Sequence, residues 1–146
     1  MMRNTSSEAL NGIYLASNWS HRISNEWSRK FTEKFKQRWG FIPGDFAAAK
    51  FIECQLTARM MMETGSMDPE VLIPALEQLG EFDGPTGREY MSAYNHQIVH
   101  DFLLLRGKPP EEKKYEDDYV EVIGRARVYP EQGEPGFKFD RTKESL

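Results

Sequence analysis

The hydrophobic pattern of this chain changes near residue 80, and that change limits the folds available to it. Before this point, three successive segments carry apolar residues at the spacing of a helix. From Phe82 onward, the apolar runs are short, rich in strand-forming residues and separated by turns. A strand predicted over 12–16 precedes the helices and is expected to be buried. The 146 residues therefore predict one α/β domain in the order strand, three helices, strands.

The first predicted helix has an aromatic stripe. Ser24 or Asn25 can cap its start, and Gly40 ends it after Trp39. Aromatic residues recur at every fourth position, and polar residues fill the other faces: Trp27, Phe31, Phe35 and Trp39. Such a stripe most often packs into a core, and a docking surface is the alternative. We expect core packing here.

The second predicted helix is apolar on most sides. Asp45 can cap its start, and the helix runs to Thr64. We expect it to be the most buried helix, with Cys54 acting as a packing residue rather than as a nucleophile. A third, shorter helix is predicted to begin at Asp68-Pro69, since proline is favourable at the first helical position. It is predicted to stop at Gly80.

The remainder of the chain predicts strands joined by turns and one charged linker. Strands are expected at Arg88–Met91, as a single run over Ile98–Leu105, and at Tyr119–Val128, whereas Glu111–Asp118 is expected to be a solvated linker. The predicted organisation is a disordered lead over 1–9, one domain over 10–128 and a loose tail over 129–146.

Composition argues against several classes of protein. The net charge is −4 and the cations are dispersed, so the basic stripe of a nucleic-acid binder is missing. No apolar run approaches the roughly 20 residues of a membrane span. The first residues lack the apolar segment of an export signal, although a mature exported domain would look the same. A single cysteine excludes an internal disulfide.

No constellation for catalysis or metal binding is evident. His96 and His100 are four residues apart, but no acid lies between them and the segment is expected to be turn and strand. The sequence has no nucleophile elbow, and the turn at 84–87 is too short for a phosphate-binding loop. We therefore predict no catalytic residues, no metal, no cofactor and no enzymatic activity.

Trp19 and Phe46 occupy junctions between predicted elements. Trp19 follows the first strand and Phe46 opens the second helix. Side chains at such junctions tend to face clefts in α/β folds, although either residue taken alone is more often part of a core.

Five segments, taken in order, carry a resemblance to a known family: Gly12 to Trp19; Asn25 to Trp39-Gly40-x-x-Pro43; Phe46-Ala47-Ala48; Asp68-Pro69-Glu70 to Glu77; and Phe82-Asp83-Gly84-Pro85-Thr86-Gly87 with Asn95-His96-Gln97. Together they resemble the last third of periplasmic branched-chain amino acid binding proteins. These are type I solute receptors of ABC importers, also called the leucine/isoleucine/valine-binding family. No single segment is diagnostic; the ordered combination carries the resemblance.

The resemblance implies a partial type I periplasmic-binding-protein fold that lacks the first half of lobe one and most of lobe two. Family members have two α/β lobes joined by three crossover strands, bind ligand in the cleft between them and close about the hinge. A membrane permease recognises the closed form. The chain would then be a periplasmic solute-binding component, or a fragment of one, for a branched-chain amino acid, an amide or a related small molecule.

The resemblance also implies candidate ligand contacts. Phe46 matches an aromatic residue that lines the cleft, and Trp19 with Ser17 matches the region leaving the hinge strand. The family's anchors for the α-amino and α-carboxyl groups lie outside this segment. Because much of the fold is missing, a second chain that completes the sheet is an expected partner. The alternative is a small, non-enzymatic protein-interaction domain derived from this fold.

Overall fold

Three long helices in succession separate the first strand from the others, in a computed structural model that describes residues 7–127. The helices are α1 (Ser7–Leu10), α2 (Glu26–Trp39), α3 (Asp45–Thr64) and α4 (Pro69–Gln78). The strands are β1 (Tyr14–Ser17), β2 (Phe82–Gly84), β3 (Gly87–Met91), β4 (Ile98–Val99), β5 (Asp101–Gly107) and β6 (Val120–Arg127). A short 3-10 turn covers Pro110–Glu112.

The strands form two antiparallel sheets of three strands each. One has the order β1-β5-β6 and the other the order β2-β3-β4. The prediction of a single strand over Ile98–Leu105 is therefore wrong. The chain leaves the second sheet after Val99 and enters the first at Asp101, so that β4 and β5 pair with different neighbours.

β1 is an edge strand and is only partly buried. Tyr14 and Ala16 are exposed, Leu15 is half-buried and Ser17 is buried. The expectation of a buried strand is wrong because β1 has one partner, β5, and one face that nothing in residues 7–127 covers.

α2 begins and ends where local signals predict. The Asn25 side chain accepts a hydrogen bond from the Ser28 amide at 2.8 Å, so Asn25 rather than Ser24 is the cap. Gly40 adopts a left-handed conformation (φ 75°) and its amide donates to the Lys36 carbonyl. Of the aromatic stripe, only Phe31 is buried, and Trp39 remains 57% exposed. Trp27 and Phe35 are half-buried and pack against the cluster that contains Phe31, so the expectation of core packing holds in full for Phe31, in part for Trp27 and Phe35, and not for Trp39.

α3 differs from its prediction at the start and on its surface. Asp45 was predicted to cap the helix, but it is the first helical residue. Gly44 occupies the cap position, and no side chain makes a capping hydrogen bond there. Its buried residues recur at every fourth position: Ala48, Ile52, Leu56 and Met60. α3 has more buried residues than α2 or α4, as expected of the most buried helix. Phe51 and Cys54 are nevertheless exposed, so the expectation that Cys54 is a packing residue is wrong. The cause is that neighbouring elements within 7–127 pack against one stripe only.

The segment predicted as a solvated linker ends in a buried acid that pairs with a lysine outside the segment. Asp118 is 0% exposed and its carboxylate accepts hydrogen bonds from the Lys108 ammonium at 2.9 and 3.1 Å, and from the Lys114 amide at 3.0 Å. Burial alone would raise the pKa of Asp118, but these bonds and the nearby Arg22 outweigh it and lower the pKa. The sequence could not place Lys108 opposite this acid.

The two ends of the chain are described only in part. Ser7–Leu10 is a helical turn and Leu10 is buried, so the predicted disordered lead does not extend through residue 9. Residues 1–6 and the predicted tail over 129–146 lie outside the described residues. Within 7–127, none of the helices combines the length and the apolar character that crossing a bilayer requires.

Candidate ligand-binding site

The end of β1 lies against the start of α3. The Ser17 hydroxyl is 3.3 Å from Asp45 Oδ2 and 2.8 Å from the Trp19 carbonyl oxygen, and it accepts from the Trp19 amide at 3.4 Å. These contacts join two segments that are 28 residues apart. The structure thus brings Ser17 to the helix start that carries Phe46.

Phe46 is the exposed member of this group. It stands in the first turn of α3, is 79% exposed, and its amide is 3.0 Å from Asp45 Oδ1. A phenyl ring left in water forgoes the stabilisation of roughly 1.5–3 kcal/mol that full burial gives. A ligand or a neighbouring chain that covered Phe46 would recover part of this free energy.

Trp19, by contrast, lies in the core. It is 3% exposed, and its ring packs edge-on against Phe31 with centroids 5.7 Å apart. Its indole nitrogen donates to Ser28 Oγ at 2.8 Å, and Ser28 Oγ donates to the Pro85 carbonyl at 2.7 Å. Trp19 therefore ties the segment after β1 to α2 and to the β2–β3 turn, beneath the surface on which Phe46 stands.

Asp45 is the residue of this group whose role the sequence missed. Its position before an apolar run predicted a helix cap, whereas the structure places its half-buried carboxylate in the first turn beside Ser17. A carboxylate at this position is favoured by the helix dipole. It can also accept a hydrogen bond from an ammonium or amide group.

β3, which follows the turn that Trp19 reaches through Ser28, contains a buried acid. Glu89 is buried and its Oε1 accepts from both the amide and the hydroxyl of Thr86, each at 2.7 Å. Burial raises the pKa of Glu89, and the two bonds from Thr86 oppose this rise without cancelling it. These two bonds fix the turn from its buried side, which indicates a structural role for Glu89.

The histidines form no metal centre in the described part of the chain. His96 Nε2 lies 2.7 Å from Glu77, and His100 Nδ1 lies 3.0 Å from the Asp101 carbonyl oxygen. Among residues 7–127, no three His, Cys, Asp or Glu side chains are placed to bind one ion.

The comparison with protein families assigns the chain. The family model for the periplasmic binding proteins matches residues 2–116, which include Ser17, Trp19 and Phe46. The chain belongs to the periplasmic binding protein family. The resemblance predicted from the ordered segments is thereby confirmed. The comparison with curated proteins returned no match.

Solved structures show the same fold. The amino acid ABC transporter substrate-binding protein from Pseudomonas fluorescens Pf-5 is 29% identical, with a TM-score of 0.80 over 88% of this chain and 34% of that one. A branched-chain amino acid ABC transporter ligand-binding protein from Burkholderia xenovorans LB400 is 21% identical, with a TM-score of 0.76 over 86% and 33%. A solute-binding protein from Rhodopseudomonas palustris BisB5, in complex with 3,4-dihydroxybenzoic acid, is 18% identical, with a TM-score of 0.73 over 90% and 35%.

The chain spans about a third of the length of these solved structures. It is therefore a partial periplasmic-binding-protein fold of mixed α/β type, as predicted. No bound ligand tests Phe46, Trp19 and Ser17 as ligand contacts, so these stay predictions; of the three, only Phe46 is exposed, whereas Trp19 and Ser17 are buried.

Proposed function

We propose that this chain is part of the solute-binding component of an ABC importer and binds a small molecule through the surface at the start of α3. The observation that carries the proposal is the exposure of Phe46 beside the Ser17–Asp45 contact, within a family of transport receptors. An apolar ring next to a carboxylate suits a ligand that has an apolar body and a polar group.

Each residue has a proposed role. Phe46 packs against the apolar body of the ligand, and Asp45 accepts a hydrogen bond from a ligand ammonium or amide group. Ser17 holds Asp45 in position, since its hydroxyl lies 3.3 Å from Asp45 Oδ2. Trp19 supports the surface from below, because its indole is buried and hydrogen-bonded to Ser28.

The relatives and this chemistry support a ligand class. One relative is an amino acid ABC transporter substrate-binding protein, and another was crystallised with 3,4-dihydroxybenzoic acid. We propose a branched-chain amino acid, an amide or a related small molecule. The protein would act in the periplasm without enzymatic activity, and the closed form would be recognised by a permease.

The proposal is tested by thermal unfolding of the chain with a panel of amino acids, amides and aromatic acids. A ligand present at 100 times its Kd should raise Tm by roughly 5–10 °C. Phe46→Ala should abolish that rise and leave the Tm of the free chain unchanged, because the ring is exposed. Met67→Ala, at another exposed apolar residue, should retain the rise.

The outcomes divide clearly. A rise that survives Phe46→Ala would place the ligand elsewhere and would refute the proposed contact. A folded chain with no response to any member of the panel would refute ligand binding by this chain alone. It would favour the second candidate function, a protein-interaction domain. The exposed aromatic groove between α2 and α3 supports that function.

A further inference from the structure

The face between α2 and α3 forms an open groove of about 560 Å³ with an aromatic floor. The rings of Trp27, Phe31, Phe35 and Trp39 follow one another with centroids 5.0, 5.7 and 6.4 Å apart. Phe51 of α3 adds a fifth ring, 5.0 Å from Phe31. Because Trp39 and Phe51 are exposed, this floor is a surface and not a closed core.

The walls of the groove are cationic although the protein as a whole is acidic. Lys30, Lys34 and Arg38 line one side and Lys50 the other, and none of the twelve lining residues is an acid. Lys30 and Lys50 pair with Glu26 and Glu53. For Lys34 and Arg38 no acidic partner lies within ion-pair distance among residues 7–127, and Arg38 instead lies over the Trp39 ring. Two unmatched positive charges thus border an apolar floor.

The spacing of these features defines the shape of the occupant. The stripe from Trp27 to Trp39 covers about 18 Å at 1.5 Å per residue. Lys30, Lys34 and Arg38 recur at intervals of four residues, roughly 6 Å, along the same stretch. Carboxylates at every fourth position of another helix have the same interval. A small aromatic acid would engage one ring and one cation, whereas the groove repeats the rings over about three turns and the cations over about two.

From this geometry we propose that the groove between α2 and α3 binds an acidic amphipathic helix of another polypeptide. The apolar stripe of that helix would cover the aromatic floor, and its Glu or Asp residues would face Lys34 and Arg38. This is the helix-in-groove mode of recognition, with charge complementarity setting the register. The proposal rests on the groove alone and does not depend on ligand binding at Phe46.

The test uses fluorescence anisotropy of a labelled helical peptide of about four turns that carries Leu at every third or fourth position and Glu on the flanks. A peptide with the same residues in scrambled order and one with Glu replaced by Gln serve as controls. The variants are Lys34→Glu, within the groove, and Lys36→Glu, an equal change of charge on an exposed face of α2 outside it. Circular dichroism confirms that both variants fold.

We expect the acidic peptide to bind at low ionic strength, and the Glu-to-Gln peptide and the Lys34→Glu variant each to weaken binding at least about fivefold. Lys36→Glu should change Kd less than about twofold, and the scrambled peptide should not bind. Equal effects of the two variants, or equal binding of the scrambled peptide, would overturn the proposal. Full displacement by benzoate would indicate a small-anion site, and self-association that only Lys34→Glu removes would indicate a second copy; either would also overturn it.

Discussion

At the scale of single residues, two buried acids show how burial and hydrogen bonding compete. The Asp118 carboxylate accepts hydrogen bonds from the Lys108 ammonium and the Lys114 amide. Its pKa is lowered because these bonds and the nearby Arg22 outweigh the effect of burial. Glu89 accepts two bonds from Thr86, yet burial prevails and its pKa is raised. Because the two pKa shifts have opposite directions, the contributions of Asp118 and Glu89 to stability should change in opposite directions with pH.

Replacing Asp118 with Ala leaves the Lys108 ammonium buried without its counter-ion and the Lys114 amide without its acceptor. We expect a loss of about 3–5 kcal/mol in the free energy of unfolding, since breaking a buried pair from one side leaves an uncompensated charge. Urea denaturation measures this loss. Asp117→Ala, at the neighbouring position, should change stability by less than about 0.5 kcal/mol. Similar losses in the two variants would show that the pair is not buried in solution.

Glu89 should make stability depend on pH. Because its folded pKa lies above its unfolded value, the folded state binds the proton more tightly. Its contribution to the free energy of unfolding is complete below about pH 4.5 and is lost as pH rises through the raised folded pKa. Glu89→Gln removes this titration and keeps an oxygen that can accept from Thr86.

The measurement is the difference in unfolding free energy between the parent and Glu89→Gln at several pH values. As pH rises from about 4.5 toward neutrality, the unfolding free energy of the parent should fall relative to that of Glu89→Gln. Glu116→Gln, the same change at an exposed acid, is the matched control. A difference that stays constant with pH would mean that Glu89 titrates alike in the folded and unfolded states.

At the scale of elements, the start of α2 offers a direct test of capping. Asn25 accepts from the Ser28 amide at 2.8 Å and its Nδ2 donates to the Pro85 carbonyl at 3.0 Å. Asn25→Ala should therefore lower the free energy of unfolding by about 1–2 kcal/mol. Ser24→Ala, at the exposed residue that is the other cap candidate by sequence, should be neutral within about 0.5 kcal/mol. Urea midpoints compare the two, and an equal loss would contradict the assignment.

The same elements show what a sequence can predict. Both ends of α2 are predictable because capping depends on residues adjacent in the chain, such as Asn25 and Gly40. The surface of α3 is not, because apolar residues such as Phe51 indicate a preference for burial but not whether a neighbour exists. The break between β4 and β5 depends likewise on which strands pair, which no local pattern near His100 reveals.

The candidate site, too, was only partly predictable from the sequence. Trp19 and Phe46 were recognisable as junction residues, and the order of segments identified the family. The contact between Ser17 and Asp45 joins segments 28 residues apart, so it required the fold. The burial of Trp19 also depended on partners, Phe31 and Ser28, that local patterns did not connect to it.

At the scale of the whole molecule, the β1-β5-β6 sheet has one face that the described residues do not cover. Leu103 and Leu105 point into the core, whereas Phe102 and Leu104 are exposed on the other face, together with Tyr14 of β1. The chain spans about a third of the solved structures that it resembles. An apolar sheet face of this kind favours association with another chain.

We therefore expect the isolated chain to associate through this face, either with itself or with a polypeptide that completes the fold. Light scattering after size exclusion should show a mass that rises with loading, from about 5 to about 200 µM. Leu104→Lys places a charge at the centre of the exposed face and should shift the chain to monomer. Met67→Lys adds the same charge at an exposed residue outside the sheets and should leave the association unchanged. A parent chain that stays monomeric throughout would contradict association through this face. Two variants that associate to the same extent would show that the contact lies on another surface.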